Sequence, residues 1–99
     1  MAGRYRLSQR AVADLKDIWR YSFKNWGQAQ ANNYYTDLLA SVENLAAGLR
    51  KGLPVPERDG YLKATSGSHL IFYRTSDDDI EVIRILHQSM DERRHLAVD

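Results

Sequence analysis

Two long helical patterns follow one another with a single glycine between them. That feature limits the folds open to this chain more than any other. Val12, Leu15, Trp19, Phe23 and Trp26 recur at three- and four-residue steps, so they share one helix face, which Ala11 and Ile18 widen. Asp14, Lys16, Asp17, Arg20 and Lys24 fall between them and can stay in water. Ser8 precedes the pattern as a favoured N-cap, and Gly27 ends it as a left-handed residue after a helix does. The pattern restarts at once. Ala31, Tyr35, Leu38, Val42, Leu45 and Leu49 step by three or four, giving a second helix to Leu49 that closes at Gly52. One glycine between two such helices forces a tight reversal, so they form a helical hairpin. Neither apolar face is buried by the other alone, and something else must cover them.

The covering element is a sheet. Arg4-Tyr5-Arg6-Leu7 alternates polar and apolar and reads as a short strand with Tyr5 and Leu7 inward. Residues 50–60 carry Pro54 and Pro56 with Gly52 and Gly60, and read as an extended connector. Strands then follow at 61–65, 69–75 and from Ile80 to Leu86 or His87, joined by short polar turns, which makes an antiparallel meander. Val82 and Leu86 oppose Ile83 and Ile85, as in a central strand covered on two sides. The expected architecture is α+β in the order β-α-α-β-β-β, a helical hairpin packed on a small antiparallel sheet of four strands. Apolar groups on both sheet faces would leave one face for a partner. Val12, Leu15, Trp19, Leu38, Val42 and Leu45 are the expected core.

Ninety-nine residues make one domain, 1–99. A hydrophobic fraction of 43% marks a folded chain rather than a disordered one. The net charge is +1, which is not the footprint of a protein that clings to nucleic acid over its whole surface. No direct sequence-specific nucleic-acid contact is expected. There is no cysteine, so neither a disulfide nor a zinc–thiolate site can form. His69, His87 and His95 have no metal-ligand spacing, so no metal or cofactor is expected. No apolar run has the length of a membrane helix and the start has no signal-peptide core, so the expected location is the cytoplasm.

Several short motifs, in order, carry a resemblance. They are Tyr5-Arg6-Leu7-Ser8, Ala13-Asp14-Leu15 with Ile18-Trp19, Tyr21 with Trp26-Gly27, Gly67-Ser68-His69-Leu70 and Ile71-Phe72-Tyr73-Arg74. The ending is Arg84-Ile85-Leu86-His87, two residues, Met90-Asp91, two residues, Arg94-His95-Leu96. Nearly the whole chain thus resembles the RelE/ParE toxin superfamily, and within it the ParE branch. The resemblance implies a toxin of a two-gene toxin–antitoxin system, wrapped by the C-terminal segment of a ParD-type antitoxin in a hetero-oligomer. It implies DNA gyrase as the target, trapped on cleaved DNA. The RelE branch has the same fold but cuts mRNA on the ribosome.

Cleavage of that second kind needs a base for a 2′-hydroxyl, an acid for the leaving oxygen and cations for the phosphate. RelE-like nucleases commonly place Tyr, or a His-Tyr pair, near the end of the last strand. Here His87 stands at that end, with Lys63, Arg74 and Arg84 as available cations, but Gln88 follows and no Tyr occurs after Tyr73. The expectation is therefore a toxin that binds and is not an enzyme, with no catalytic residues. The alternatives are a ribosome-dependent mRNA interferase, and an inactive toxin serving as a co-repressor with its antitoxin. For the target surface the candidates are His87, Met90, Asp91, Arg93 and Arg94. For the antitoxin they are the aromatics Trp26, Tyr34, Tyr35, Phe72 and Tyr73. Arg74 and Arg84 would join them, brought side by side on adjacent strands to meet an acidic segment.

Overall fold

The computed structural model describes residues 4–90. β1 (Tyr5–Leu7) leads into α1 (Gln9–Trp26), and α2 (Gln28–Ala46) follows directly. Then come β2 (Leu53–Pro54), β3 (Leu62–Ser66), β4 (His69–Ser76) and β5 (Asp79–His87). The strands form one sheet in the order β1-β5-β4-β3-β2. β2 to β5 pair antiparallel, while β1 runs parallel to β5, with Tyr5 opposite Ile80 and Leu7 opposite Val82. A parallel pair needs a long crossover, and here the hairpin is part of it. The two helices and the β-α-α-β-β-β order match the sequence reading. The fifth strand does not: β2 forms inside the expected connector. A proline is tolerated there because β2 lies at the sheet edge, where a missing N–H breaks no ladder.

The helix boundaries follow their caps. Ser8 Oγ accepts the Ala11 N–H at 3.0 Å, and its own hydroxyl donates to the Ile83 carbonyl at 2.6 Å, so one residue both caps α1 and ties it to β5. Gly27 adopts φ 89°, as the reversal requires. α2 stops at Ala46 rather than Leu49 because Gly48, at φ 77°, turns the chain first. The Gly48 N–H donates to the Leu45 carbonyl and the Leu49 N–H to that of Asn44, the paired bonds of a Schellman ending. Gly52 serves a different end. A Cβ there would lie 2.6 Å from the Lys63 carbonyl oxygen, and its N–H donates to the Tyr73 hydroxyl at 2.7 Å.

α1 buries a different stripe from the one its bulk suggests. Ala11, Leu15, Ile18 and Ser22 face the sheet, whereas Val12 is 39% exposed and Phe23 47%. The inner stripe pairs Leu15 and Ile18 with the small Ala11 and Ser22, so counting large side chains shifts the expected face toward Val12 and Phe23. On α2, Ala31, Leu38, Val42 and Leu45 are buried as their spacing predicts, but Tyr35 and Leu49 are exposed. These helix residues meet Ile71, Tyr73, Ile80, Val82 and Ile85 on one sheet face. The opposite face is not left bare. Val55 and Tyr61 from the connector pack there on Phe72, Ile83 and Leu86.

Candidate functional site

The far end of β5 has no strand on its outer side, because β1 stops opposite Val82. α1 takes over that edge. Past a register shift that sets Phe72 against Arg84 and Tyr73 against Val82, Asp14 Oδ2 accepts the Ile85 N–H at 2.9 Å. The same carboxylate takes Arg84 Nε at 2.9 Å and Nη2 at 3.0 Å. This bidentate pair joins α1 to the strand, and beside it lies a hollow of about 590 Å³ between α1, the start of α2 and the end of β5. Ile18, Ile85 and Leu86 are among its apolar residues, Tyr21 and Trp26 its exposed aromatics, and Met90 and His87 lie at the strand exit. Tyr21 and Trp26 meet edge to face, centroids 5.7 Å apart.

A chain of polar groups also lines this hollow. The Tyr34 hydroxyl lies 2.6 Å from His69 Nδ1 and accepts the Ser68 N–H at 2.9 Å. Gly67 makes this approach possible: at φ 59° it forms the turn, and a Cβ there would sit 2.6 Å from the Tyr34 oxygen. His69 in turn packs edge to face on His87, centroids 5.3 Å apart. Burial lowers the His69 pKa below its ordinary 6.5, the neighbouring His87 lowers it further, and Asp14 opposes both. Both lowering effects favour the neutral ring, and which of the Tyr34 hydroxyl and His69 Nδ1 donates in their contact is set by the ring tautomer. His87 Nδ1 accepts the Ser89 N–H at 3.1 Å, with Ser89 Oγ 2.7 Å away. With Nδ1 accepting, Nε2 is the ring nitrogen left to donate.

The structure regroups the residues singled out from sequence. Trp26 and Tyr34, expected at the antitoxin, share this hollow with His87 and Met90, expected at the target. Tyr35 lies elsewhere, beside Val12 and Trp19. Phe72 and Tyr73 do not belong on any partner surface, being 0% and 2% exposed. Arg74 and Arg84 are not side by side: Arg74 stands opposite Glu81 and binds it at 2.8 Å, whereas Arg84 stands opposite Phe72 and binds Asp14. Asp91, Arg93 and Arg94 lie outside the described residues. Sequence reasoning left Asp14 in water, whereas its side chain is 14% exposed and bound to Arg84 and the Ile85 N–H, and it assigned no role to Ser22 or to His69 beyond excluding a metal. Asp14 and His69 sit inside the recognised motifs, and Gly67 beside His69 was the signal for a close approach.

Among the described residues, no group of three His, Asp or Glu side chains is arranged to hold a metal ion. No described helix is long and apolar enough to cross a membrane.

Known proteins resemble this chain in sequence and in fold. The family model for the ParE toxin of type II toxin–antitoxin systems matches residues 5–92. "Toxin ParE1" of Caulobacter vibrioides is 50% identical over 94 residues, covering 94% of this chain and 97% of that protein. "Toxin ParE1" of Mycobacterium tuberculosis is 43% identical over 98 residues, covering 97% of this chain and 100% of that protein. A structure of the chromosomal ParDE system of P. aeruginosa superposes with a TM-score of 0.75 at 21% identity, covering 87% of this chain and 96% of that one. The RelBE2 toxin–antitoxin complex of Mycobacterium tuberculosis gives 0.56 at 22% identity, covering 91% and 95%. The two superpositions establish the shared fold, and the sequence matches over almost the whole length establish that this chain belongs to the ParE family of toxins of type II toxin–antitoxin systems.

Proposed function

We propose that this toxin acts on DNA gyrase by binding it, not by chemistry of its own, and that a ParD-type antitoxin neutralises it in a cytoplasmic hetero-oligomer. The observation that carries the binding reading is the charge of the hollow at His87. Its described lining includes Asp14 and Asp17 and neither Lys nor Arg, while the sheet arginines are held on Asp14 and Glu81. A crowded phosphate in transit needs cations close by. An apolar hollow with exposed aromatics and Met90 suits a protein surface instead. Breaking and rejoining DNA is then the work of gyrase, and the toxin holds the cleaved state. The partner reading draws on the relatives named ParE and on the ParDE and RelBE structures of the same fold.

One observation favours a second reading. Tyr34, His69 and His87 form a line of proton-transferring groups, which an mRNA interferase could use as acid and base. A single comparison separates the two. Antitoxin-free protein is added to gyrase, ATP and plasmid, and separately to ribosomes carrying mRNA. Linear DNA that needs both toxin and gyrase, with intact mRNA, supports binding; cut mRNA with undamaged plasmid rejects it.

A further inference from the structure

Asp17 and Tyr21 stand one turn apart on α1, and both line the His87 hollow. At that spacing their Cβ atoms lie about 6 Å apart. Helix side chains lean toward the N-terminus, which sets the Tyr21 ring over the turn of Asp17. Trp26 braces that ring edge to face, with 71° between the planes. Such a contact leaves at least one face of the Tyr21 ring open. Tyr21 and Trp26 are each 62% exposed, so the fold itself gains little from burying them.

The charges nearby select what this ring and carboxylate can take. Asp14, the other carboxylate on the hollow, is engaged by Arg84 and the Ile85 N–H. Asp17 meets Arg20 at 3.9 Å with both side chains largely exposed, a pairing worth little in water. Arg20 itself borders the opposite flank of the helix, beside Val12 and Trp19. Asp17 thus keeps a carboxylate to offer, and neither Lys nor Arg is among the described lining residues of the hollow. A guanidinium or an ammonium satisfies both groups at once, lying on the ring face and pairing with the carboxylate. Its aliphatic stem can run over the apolar part of the hollow at Ile18 and Leu86. Nucleic acid could stack a base on Tyr21, but its phosphates would then face Asp14 and Asp17. An apolar side chain would strip water from Asp17 and put nothing in its place.

We propose that Asp17 and Tyr21, braced by Trp26, grip a basic side chain of gyrase at the edge of the His87 hollow. Naming gyrase as the source of that side chain rests on the target reading above; the chemistry of the grip does not.

The test uses antitoxin-free toxin and immobilised gyrase, with binding followed by surface plasmon resonance at low and at high salt. Binding of the unmodified toxin should weaken as salt rises. Asp17→Lys should weaken it by about tenfold or more and remove most of that salt dependence. Tyr21→Leu should weaken it by about threefold or more, whereas Tyr21→Phe, which keeps the ring, should stay within about twofold of the unmodified toxin. Glu57→Lys makes the same charge reversal at an exposed position of the connector that covers the opposite sheet face, and should leave binding unchanged. Circular dichroism spectra should be the same for all, since these side chains are exposed. Asp17→Lys or Tyr21→Leu toxin that binds as well as the unmodified protein overturns the inference and leaves gyrase binding standing. So does Glu57→Lys toxin that binds as weakly as Asp17→Lys, because net charge and not this seat would then be at work. Unmodified toxin that binds no gyrase would instead remove the target reading, and this inference with it.

Discussion

Asp14 on α1 and Arg84 on β5, 70 residues apart in sequence, are joined by two hydrogen bonds of 2.9 and 3.0 Å, with side chains only 14% and 12% exposed. The same carboxylate takes the Ile85 N–H. One side chain thus finishes the edge of β5 where β1 stops and fixes the wall of the His87 hollow. Asp14→Ala should lower unfolding free energy by about 3 kcal/mol, because it leaves Ile85 without this acceptor and takes two bonds from Arg84 in a nearly buried setting. Urea denaturation measures it. A loss typical of an exposed pair, under about 1 kcal/mol, would mean that the contact does not hold α1 in place.

Gly67 and Gly60 provide a matched comparison. Both have positive φ, 59° and 83°, but a Cβ at Gly60 meets nothing within 4 Å, whereas at Gly67 it meets the Tyr34 hydroxyl. Gly60→Ala should cost about 1 kcal/mol from backbone strain alone. Gly67→Ala should cost clearly more and should displace Tyr34 from His69, seen as a changed His69 signal in NMR. Equal losses would show that the turn does not position Tyr34.

The His69 pKa sets a sign for the pH dependence. The folded state holds it below the ordinary 6.5. Above 6.5 the ring is neutral in both states and nothing is lost. As pH falls from 6.5 toward the lowered folded value, the unfolded chain takes up the proton and the folded one resists, so stability declines across that window. His69→Gln should remove this part of the decline. A wild-type stability that rises over the same interval would contradict the burial of His69.

The two stripes of α1 should respond differently to substitution. Leu15→Ala, at 4% exposure, should cost about 3 kcal/mol through its cavity. Val12→Ser, on the exposed flank, should cost well under about 1 kcal/mol. This contrast also marks how far the sequence could be read. Strand and helix positions were legible because periods of two and of three to four repeat over many residues, and because Ser8 and Gly27 act locally. The inward stripe of α1 was legible only in part: Ala11, Leu15 and Ile18 fell on the apolar face, but both flanks carry apolar groups and only tertiary packing chooses Ser22 over Val12 and Phe23. β2 escaped because two residues carry no period. His87 and Met90 were legible as a strand exit, but their union with Trp26 and Tyr34 depends on the Gly27 reversal in three dimensions. The Asp14–Arg84 bond, across 70 residues, left no local trace.

The central claim is that this toxin acts by occupying gyrase rather than by turning over a substrate, and stoichiometry tests it most directly. A fixed amount of gyrase, with ATP and excess plasmid, is titrated with antitoxin-free toxin, and cleaved DNA is followed over time. The account predicts that cleaved DNA rises in proportion to toxin, levels off when gyrase is saturated, and does not grow further with time. Toxin far below the gyrase concentration converting the whole plasmid pool, or nucleic acid cut in the absence of gyrase, would contradict it.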